Sequence, residues 1–200
     1  MRLYDFLESG NGYKVRLLLA HLGVPYERVQ VDILHGGSRT PEFLRKNPNG
    51  RIPTLELDDG TCLAESNAIC FYLADGTLLL PSDRFQRAQV LQWMCFEQYS
   101  HAPFIATSRF LLHYRPDGPE RQAELARRRD PGWAALDVME RHLADHALFV
   151  GERYTIADVA LYAYTHVADE GGFPLDRHAA VRAWLERVRA QPGHIAITQA

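Results

Sequence analysis

The chain has 200 residues, 46% of them hydrophobic and 24% charged, with a formal net charge of −3 at pH 7. That supplies core for one large domain or two small ones and leaves no electrostatic footprint for nucleic acid. No apolar run approaches the ~20 residues of a membrane helix, and the opening Met1-Arg2-Leu3-Tyr4-Asp5 lacks the apolar stretch and cleavage site of a signal peptide.

Arg2 to Phe6 reads as a short strand, followed by the turn-rich loop Ser9-Gly10-Asn11-Gly12. Val15, Leu18, Leu19 and Leu22 fall at helical spacing, and Gly23-Val24-Pro25 ends that helix. Tyr26 to Val31 is a second strand. A loop with Gly36 and Gly37 leads to a short helix over Pro41 to Lys46, with Pro41 at its first position. After the Pro48-Asn49-Gly50 turn come strands at Thr54 to Leu57 and Thr61 to Leu63, joined by the hairpin turn Asp58-Asp59-Gly60. Ser66 to Ala74 is helical. The order βαβαββα, a parallel pair made by a crossover helix and then a hairpin, predicts a thioredoxin-like α/β domain over residues 1–75.

Residues 76–83, with Gly76 and Pro81, read as a linker, and beyond them strand signals stop. A long helix starts at Phe85, Ala88, Leu91 and Cys95 and is interrupted by Pro103. Further helices are expected over Pro119 to Ala147, Thr155 to about Asp169, and about Asp176 to Ala190, so residues 84–200 form an all-α domain. The run Arg127-Arg128-Arg129, met by Glu120, Glu124 and Asp130, reads as a solvated helix face. Cys62, Cys70 and Cys95 are far apart and lack CxxC spacing, which argues against a disulfide framework or a zinc site. They are expected to be buried packing residues in a reducing, cytoplasmic setting, with no metal.

Ile52-Pro53 stands immediately before a strand of the hairpin, and in this element order it reads as a cis peptide that turns the Ile52 N–H and C=O outward to grip an extended peptide. Glu65-Ser66 opens the next helix. Ser66 can cap it, and its hydroxyl with the helix N–H groups can hold a carboxylate, while Glu65 can pair with an ammonium group. In the helical half, Thr155-Ile156-Ala157-Asp158 is a capping box, with Tyr154 and Val159 placed as a hydrophobic staple.

Ser9-Gly10-Asn11-Gly12-Tyr13-Lys14-Val15-Arg16, Pro48-Asn49-Gly50-Arg51-Ile52-Pro53, Glu65-Ser66 and the Thr155 box together resemble the cytosolic glutathione transferase superfamily, in its order and across both halves. The likeness is to bacterial members of the serine/asparagine type. It implies glutathione as co-substrate. Ile52 would pair with the cysteinyl backbone beside cis-Pro53, Glu65 and Ser66 would hold the γ-glutamyl head, and Arg51, helped by His35 or Arg39, would lie near the glycyl carboxylate. It also implies a homodimer, with Phe85, Gln89, Gln92, Trp93 and Phe96 as interface candidates.

The chemistry implied is thiolate formation and attack on a small hydrophobic or aromatic electrophile. A free cysteine thiol has a pKa of ~8.5, and lowering it by ~2 units takes about 2.7 kcal/mol. One charge-assisted hydrogen bond and a helix N-terminus suffice. Ser9 is the first candidate donor, Asn11 the second and Tyr13 the third. Phe6, Leu7, Tyr13, His101, Phe104, Ser108, Arg109 and Tyr162 are candidate walls of a second-substrate pocket, expected between the halves. With no cysteine in the loop, a mixed disulfide through the protein is disfavoured. A reductase running on bound glutathione thiols, an isomerase or dehalogenase, and a non-catalytic binding module remain open.

Overall fold

Strand β1 (Arg2–Asp5) is the element around which the first unit forms. In the computed structural model, which describes residues 1–199, that unit comprises Met1–Gly76 together with the chain from Pro192, and Thr77–Gln191 make a second unit. β1 runs parallel to β2 (Glu27–Gln30) on one side and antiparallel to β3 (Thr54–Glu56) on the other. β3 pairs antiparallel with β4 (Cys62–Ala64), giving the sheet order β2-β1-β3-β4.

Side chains alternate along β1, as a strand requires. Leu3 and Asp5 are fully buried, while Tyr4 turns the other way to meet Phe43 edge-on, with ring centroids 6.1 Å apart. Phe43 belongs to α2 (Pro41–Lys46), whose start is fixed by Pro41 and by Thr40 Oγ1 accepting from the Phe43 N–H at 3.2 Å. Helix α1 (Gly10–Leu22) packs against α3 (Ser66–Ala74). Val15, Leu17, Leu18, Leu19, Leu55, Ile69 and Cys70 are fully buried with Leu3. Tyr4 is half-buried, with its hydroxyl donating to Glu56 at 2.7 Å.

Gly12 is required where α1 leaves the sheet: a Cβ there would lie 1.6 Å from Asp5 Oδ1. Asp5 has no room to yield, because it accepts from the Phe6 N–H at 2.7 Å and from Arg16 Nε at 2.8 Å inside the fold. Gly12→Ala is expected to cost about 2–3 kcal/mol, the range of overpacked cores, read as a lower urea midpoint at unchanged slope.

The second unit is all helix, with α4 (Arg84–Phe96), α5 (Ile105–Tyr114), α6 (Pro119–Asp145), α7 (Ile156–Thr165) and α8 (Ala179–Arg189). Every residue of α7 is buried, and α4, α5 and α8 all pack on it. Residues Thr77 to Asp83 are structured with this unit. Leu80 is buried, and the Leu79 carbonyl accepts from the Ile156 N–H at 3.0 Å at the start of α7. No helix among the described residues is long and apolar enough to cross a membrane.

Several boundaries differ from the sequence reading. The helix expected from Phe85 to Pro103 stops at Phe96 and widens into a π turn over Glu97–His101, where the Ala102 N–H reaches back to the Glu97 carbonyl at 2.7 Å. α7 ends at Thr165, whose hydroxyl bonds back to Leu161 O at 2.7 Å. A short 3₁₀ turn over Asp169–Gly171 follows, closed by Gly172 at φ 82°. α8 starts at Ala179 rather than near Asp176 because Glu140 of α6 supplies its cap, accepting from the Ala180 and Val181 N–H groups at 3.0 and 2.9 Å. Pro131 lies inside α6 without ending it. Of the cysteines expected to be buried, Cys70 is buried, Cys62 is half-buried and Cys95 is exposed on α4, so the packing role fits Cys70 alone. Trp93 is core, its ring meeting Phe149 at 4.6 Å and His142 at 4.7 Å between centroids in tilted contacts.

Candidate active site

The loop between β1 and α1 carries the first half of the site. Ser9 has extended backbone and caps α1, its Oγ accepting from the Gly12 N–H at 3.3 Å. A hydroxyl that accepts in this way still has its own proton to donate. The Ser9 N–H returns to Phe6 O at 2.8 Å, so a tight turn over residues 6–9 sets its position. Asn11 is half-buried in the first turn of α1, and its Oδ1 accepts from Ser66 Oγ at 3.3 Å.

The second half comes from the proline loop and the start of α3. The Ile52-Pro53 peptide is cis. Ile52 lies outside the sheet ladder, which begins at Thr54 opposite Tyr4 and Ala64. Asn47, only 3% exposed, staples this loop. Its Nδ2 donates to Arg51 O at 2.7 Å and to Thr54 Oγ1 at 3.2 Å, and its Oδ1 accepts from the Asn49 N–H at 3.0 Å. Arg39 braces the same loop through Asn49 O at 3.0 Å, and Asn49 Nδ2 reaches Glu65 at 3.5 Å. Arg51 is exposed. His35 is exposed and paired with Asp32 at 2.7 Å.

Glu65 occupies the cap position of α3 at φ 68°, the one positive-φ residue other than glycine among those described. Such a conformation costs about 1–3 kcal/mol and persists where surrounding structure over-determines it, most often at functional sites. Ser66 is the first residue of α3 rather than its cap, contrary to the sequence reading, because the cap position belongs to Glu65. Its hydroxyl turns instead toward Asn11 and toward Lys14, whose Nζ donates to Ser66 Oγ and Asn67 Oδ1, each at 3.4 Å. Lys14 is fully buried. A buried ammonium beside a helix N-terminus makes an anion-favouring corner.

Sequence reasoning missed Lys14 and Asn47. The signals were present: a lysine inside the apolar run of α1, and an asparagine ahead of Pro48 in a turn that must be braced.

Of the residues read as pocket walls, Phe6, Leu7 and Tyr13 belong to the first unit and the others to the second. Phe6 and Leu7 are half-buried beside Ser9. Tyr13 is neither wall nor donor, since it is fully buried and its hydroxyl donates to Ile195 O at 2.6 Å. In the helical unit, His101 is fully buried and shares a 3.0 Å hydrogen bond with Thr165, whose own proton goes to Leu161, so His101 Nε2 is the donor. Ser108 donates to Phe104 O at 2.6 Å, and Arg109 pairs with Glu170 at 2.6 Å. Phe104 is half-buried. Tyr162 stacks on His166 and meets Trp184 edge-on. Internal packing accounts for the buried members of this set.

Comparison with known proteins bears on what this site is. Residues 1–75 match the model of the glutathione S-transferase N-terminal domain, and residues 122–187 match that of the C-terminal domain. The chain belongs to the glutathione transferase family. It is 54% identical to a glutathione S-transferase of Pseudomonas fluorescens Pf-5, whose crystal structure it matches with a TM-score of 0.97 over 99% of this chain and 98% of that one. It is 32% identical to the disulfide-bond oxidoreductase YfcG of Escherichia coli K12, across 94% of this chain and 89% of that protein. Ure2p in complex with glutathione is matched at 27% identity with a TM-score of 0.87, over 96% of this chain and 95% of that one.

Proposed function

We propose that this glutathione transferase family chain binds glutathione along the Ile52-Pro53 loop and the start of α3, stabilises its thiolate with Ser9 and Asn11, and directs it at a small electrophile. The observation that carries the reading is the meeting of Asn11 and Lys14 of α1 with Ser66 at the start of α3, flanked in sequence by Ser9 at the cap of α1 and Glu65 at the cap position of α3. Ile52 offers its main chain to the cysteinyl residue. Glu65 faces the γ-glutamyl ammonium, while Ser66 and Lys14 face its carboxylate. Arg51, with Arg39 nearby, serves the glycyl carboxylate; His35, tied to Asp32, is the weaker helper. The chain acts as a homodimer in the cytoplasm, with exposed Phe85 and Leu91 of α4 available for contact between copies.

A second reading is glutathione-dependent disulfide reduction. Its support is the likeness to an oxidoreductase and a site whose named residues include no cysteine, so that two bound glutathione thiols would do the redox work. Calorimetry with glutathione, followed by parallel assays with a chloronitroaromatic and a small disulfide, separates the two. Ser66→Ala is expected to weaken glutathione binding about tenfold, equivalent to 1.4 kcal/mol. Absence of glutathione binding at millimolar concentration sinks both readings and leaves a binding module without this chemistry.

A further inference from the structure

The C-terminal residues of the first unit lie along one face of α1 and are held mainly through their carbonyl oxygens. Pro192 O is met by His21 Nδ1 at 2.8 Å, Ile195 O by the Tyr13 hydroxyl at 2.6 Å, and Ile197 O by Arg16 NH1 at 3.0 Å. The same guanidinium nitrogen reaches Gln199 O. Tyr13, Arg16 and Ala20 stand at helical spacing of three and four, so these contacts share one face. Gly193, at φ 77°, admits the close pass, because a Cβ there would lie 3.1 Å from Ala20 O. The segment is also fastened to itself by the Gln199 N–H donating to Ala196 O at 2.9 Å and by the Ala196 N–H donating to Gln199 Oε1 at 2.7 Å.

Arg16 is fully buried and joins this segment to the site. Besides Ile197 and Gln199, it holds Asp5 Oδ2 at 2.8 Å through Nε, and through NH2 it holds the carbonyl of Leu7. Leu7 lies within the Phe6–Ser9 turn that presents the Ser9 hydroxyl. A planar guanidinium with a rigid fork of five donors transmits position among such partners, whereas a lysine ammonium would not. Removing the segment takes away two acceptors from a buried cation, and the remaining two, Asp5 and Leu7, both border the turn.

We infer that Arg16 and residues 194–199 form a positioning strap: docking of the C-terminal segment on α1 sets the Leu7–Ser9 turn and thereby the acidity of the bound thiol. Arg16 touches no ligand in this scheme; it acts through Leu7. The inference rests on the proposed role of Ser9 and extends it to residues far away in sequence.

The test compares the parent with a chain ending at Gly193, with Arg16→Lys and with Tyr13→Phe. The readouts are glutathione affinity by calorimetry, the pH titration of the bound thiolate's ultraviolet absorbance, kcat and KM with a chloronitroaromatic, and amide exchange at Leu7 to Ser9. The truncated chain and Arg16→Lys are expected to keep glutathione affinity within about threefold while the bound thiol's pKa rises by about one unit, which from ~6.5 cuts thiolate and kcat about threefold at pH 7 and approaches about tenfold at lower pH. Amide exchange over the turn should accelerate in both. Tyr13→Phe keeps the ring packing, removes the hydroxyl's bond to Ile195, and should show the same exchange change in smaller degree, which covers the case of a truncation that does not fold. If the variants melt earlier but keep the parent's thiol pKa, kcat and turn exchange, the strap is merely structural and the inference is overturned. If the parent itself leaves the thiol of bound glutathione unacidified, the proposed function falls instead. Exchange at the turn then decides the strap alone, and parent-like exchange in the truncated chain overturns it.

Discussion

Asp158→Ala is expected to destabilise the helical unit by about 3–5 kcal/mol, near the upper end of single substitutions. Asp158 is fully buried. One carboxylate oxygen accepts from the Phe149 N–H at 3.2 Å and Trp184 Nε1 at 2.9 Å, and the other from the Thr155 N–H at 3.0 Å and hydroxyl at 3.2 Å. These bonds tie the approach to α7, its capping box and α8 to one side chain. Alanine strands three N–H donors, each at about 1–3 kcal/mol, with some relief from no longer burying a charge. Asp158→Asn keeps one acceptor oxygen and should fall roughly halfway. Urea unfolding of the three chains measures the series, and a loss under about 1 kcal/mol for alanine would show that the box contributes little beyond local geometry.

The same carboxyl makes a pH signature. Burial lifts it to about 6, against the pull of Trp184, Thr155 and Phe149. The native state therefore holds this proton more tightly than the unfolded chain, whose carboxyl titrates near the ordinary 3.8. Native protons exceed unfolded ones across that window, so the Asp158 contribution to stability falls as pH rises from about 4 to about 6 and is level above. Asp158→Asn carries no such titration. The stability of the parent relative to that variant should decline across the window and then flatten.

What the sequence made legible was whatever is encoded over a few neighbouring residues. The bounds of α2, the hairpin turn and the Thr155 box follow from local capping and turn chemistry, and the bounds of α3 agree although Ser66 is not its cap. The parallel β1–β2 pair followed from its crossover helix. The features not legible depend on partners distant in the chain. Lys14 and Arg16 interrupt the apolar run of α1 as if they faced water. Both are buried because Ser66, 52 residues on, and the carbonyls of Ile197 and Gln199, more than 180 residues on, receive them. Ser66 looks like a cap until Asn11 is seen to accept its hydroxyl proton. The start of α8 is set by Glu140, which no local reading of residues 176–190 contains. Buried polar groups are settled by tertiary acceptors, and hydrophobic periodicity does not see them.

Ser9→Ala is expected to lower kcat with a chloronitroaromatic by about 10–100-fold while changing glutathione affinity less than about threefold, because the lost bond is one to a charged acceptor worth about 1.5–3 kcal/mol. The hydroxyl accepts from the Gly12 N–H, which leaves its own proton to donate, in the proposed role to the thiolate. That proton matters to the anion far more than to the neutral thiol, so the effect lies in thiol acidity and rate rather than in binding. Loss of the cap also costs α1 about 1 kcal/mol, which a melting curve separates from the kinetic loss. Asn11→Ala should behave differently. Its Oδ1 holds Ser66 Oγ, so removing the side chain disturbs both thiol activation and the γ-glutamyl end, raising KM as well as lowering kcat. Ser9→Thr retains a hydroxyl and a cap and should restore most of the rate. If Ser9→Ala keeps full activity while Asn11→Ala loses it, the amide is the thiolate donor and Ser9 serves only to start the helix. Full activity in both variants removes this loop from the chemistry and returns the thiol's activation to the helix terminus and Lys14.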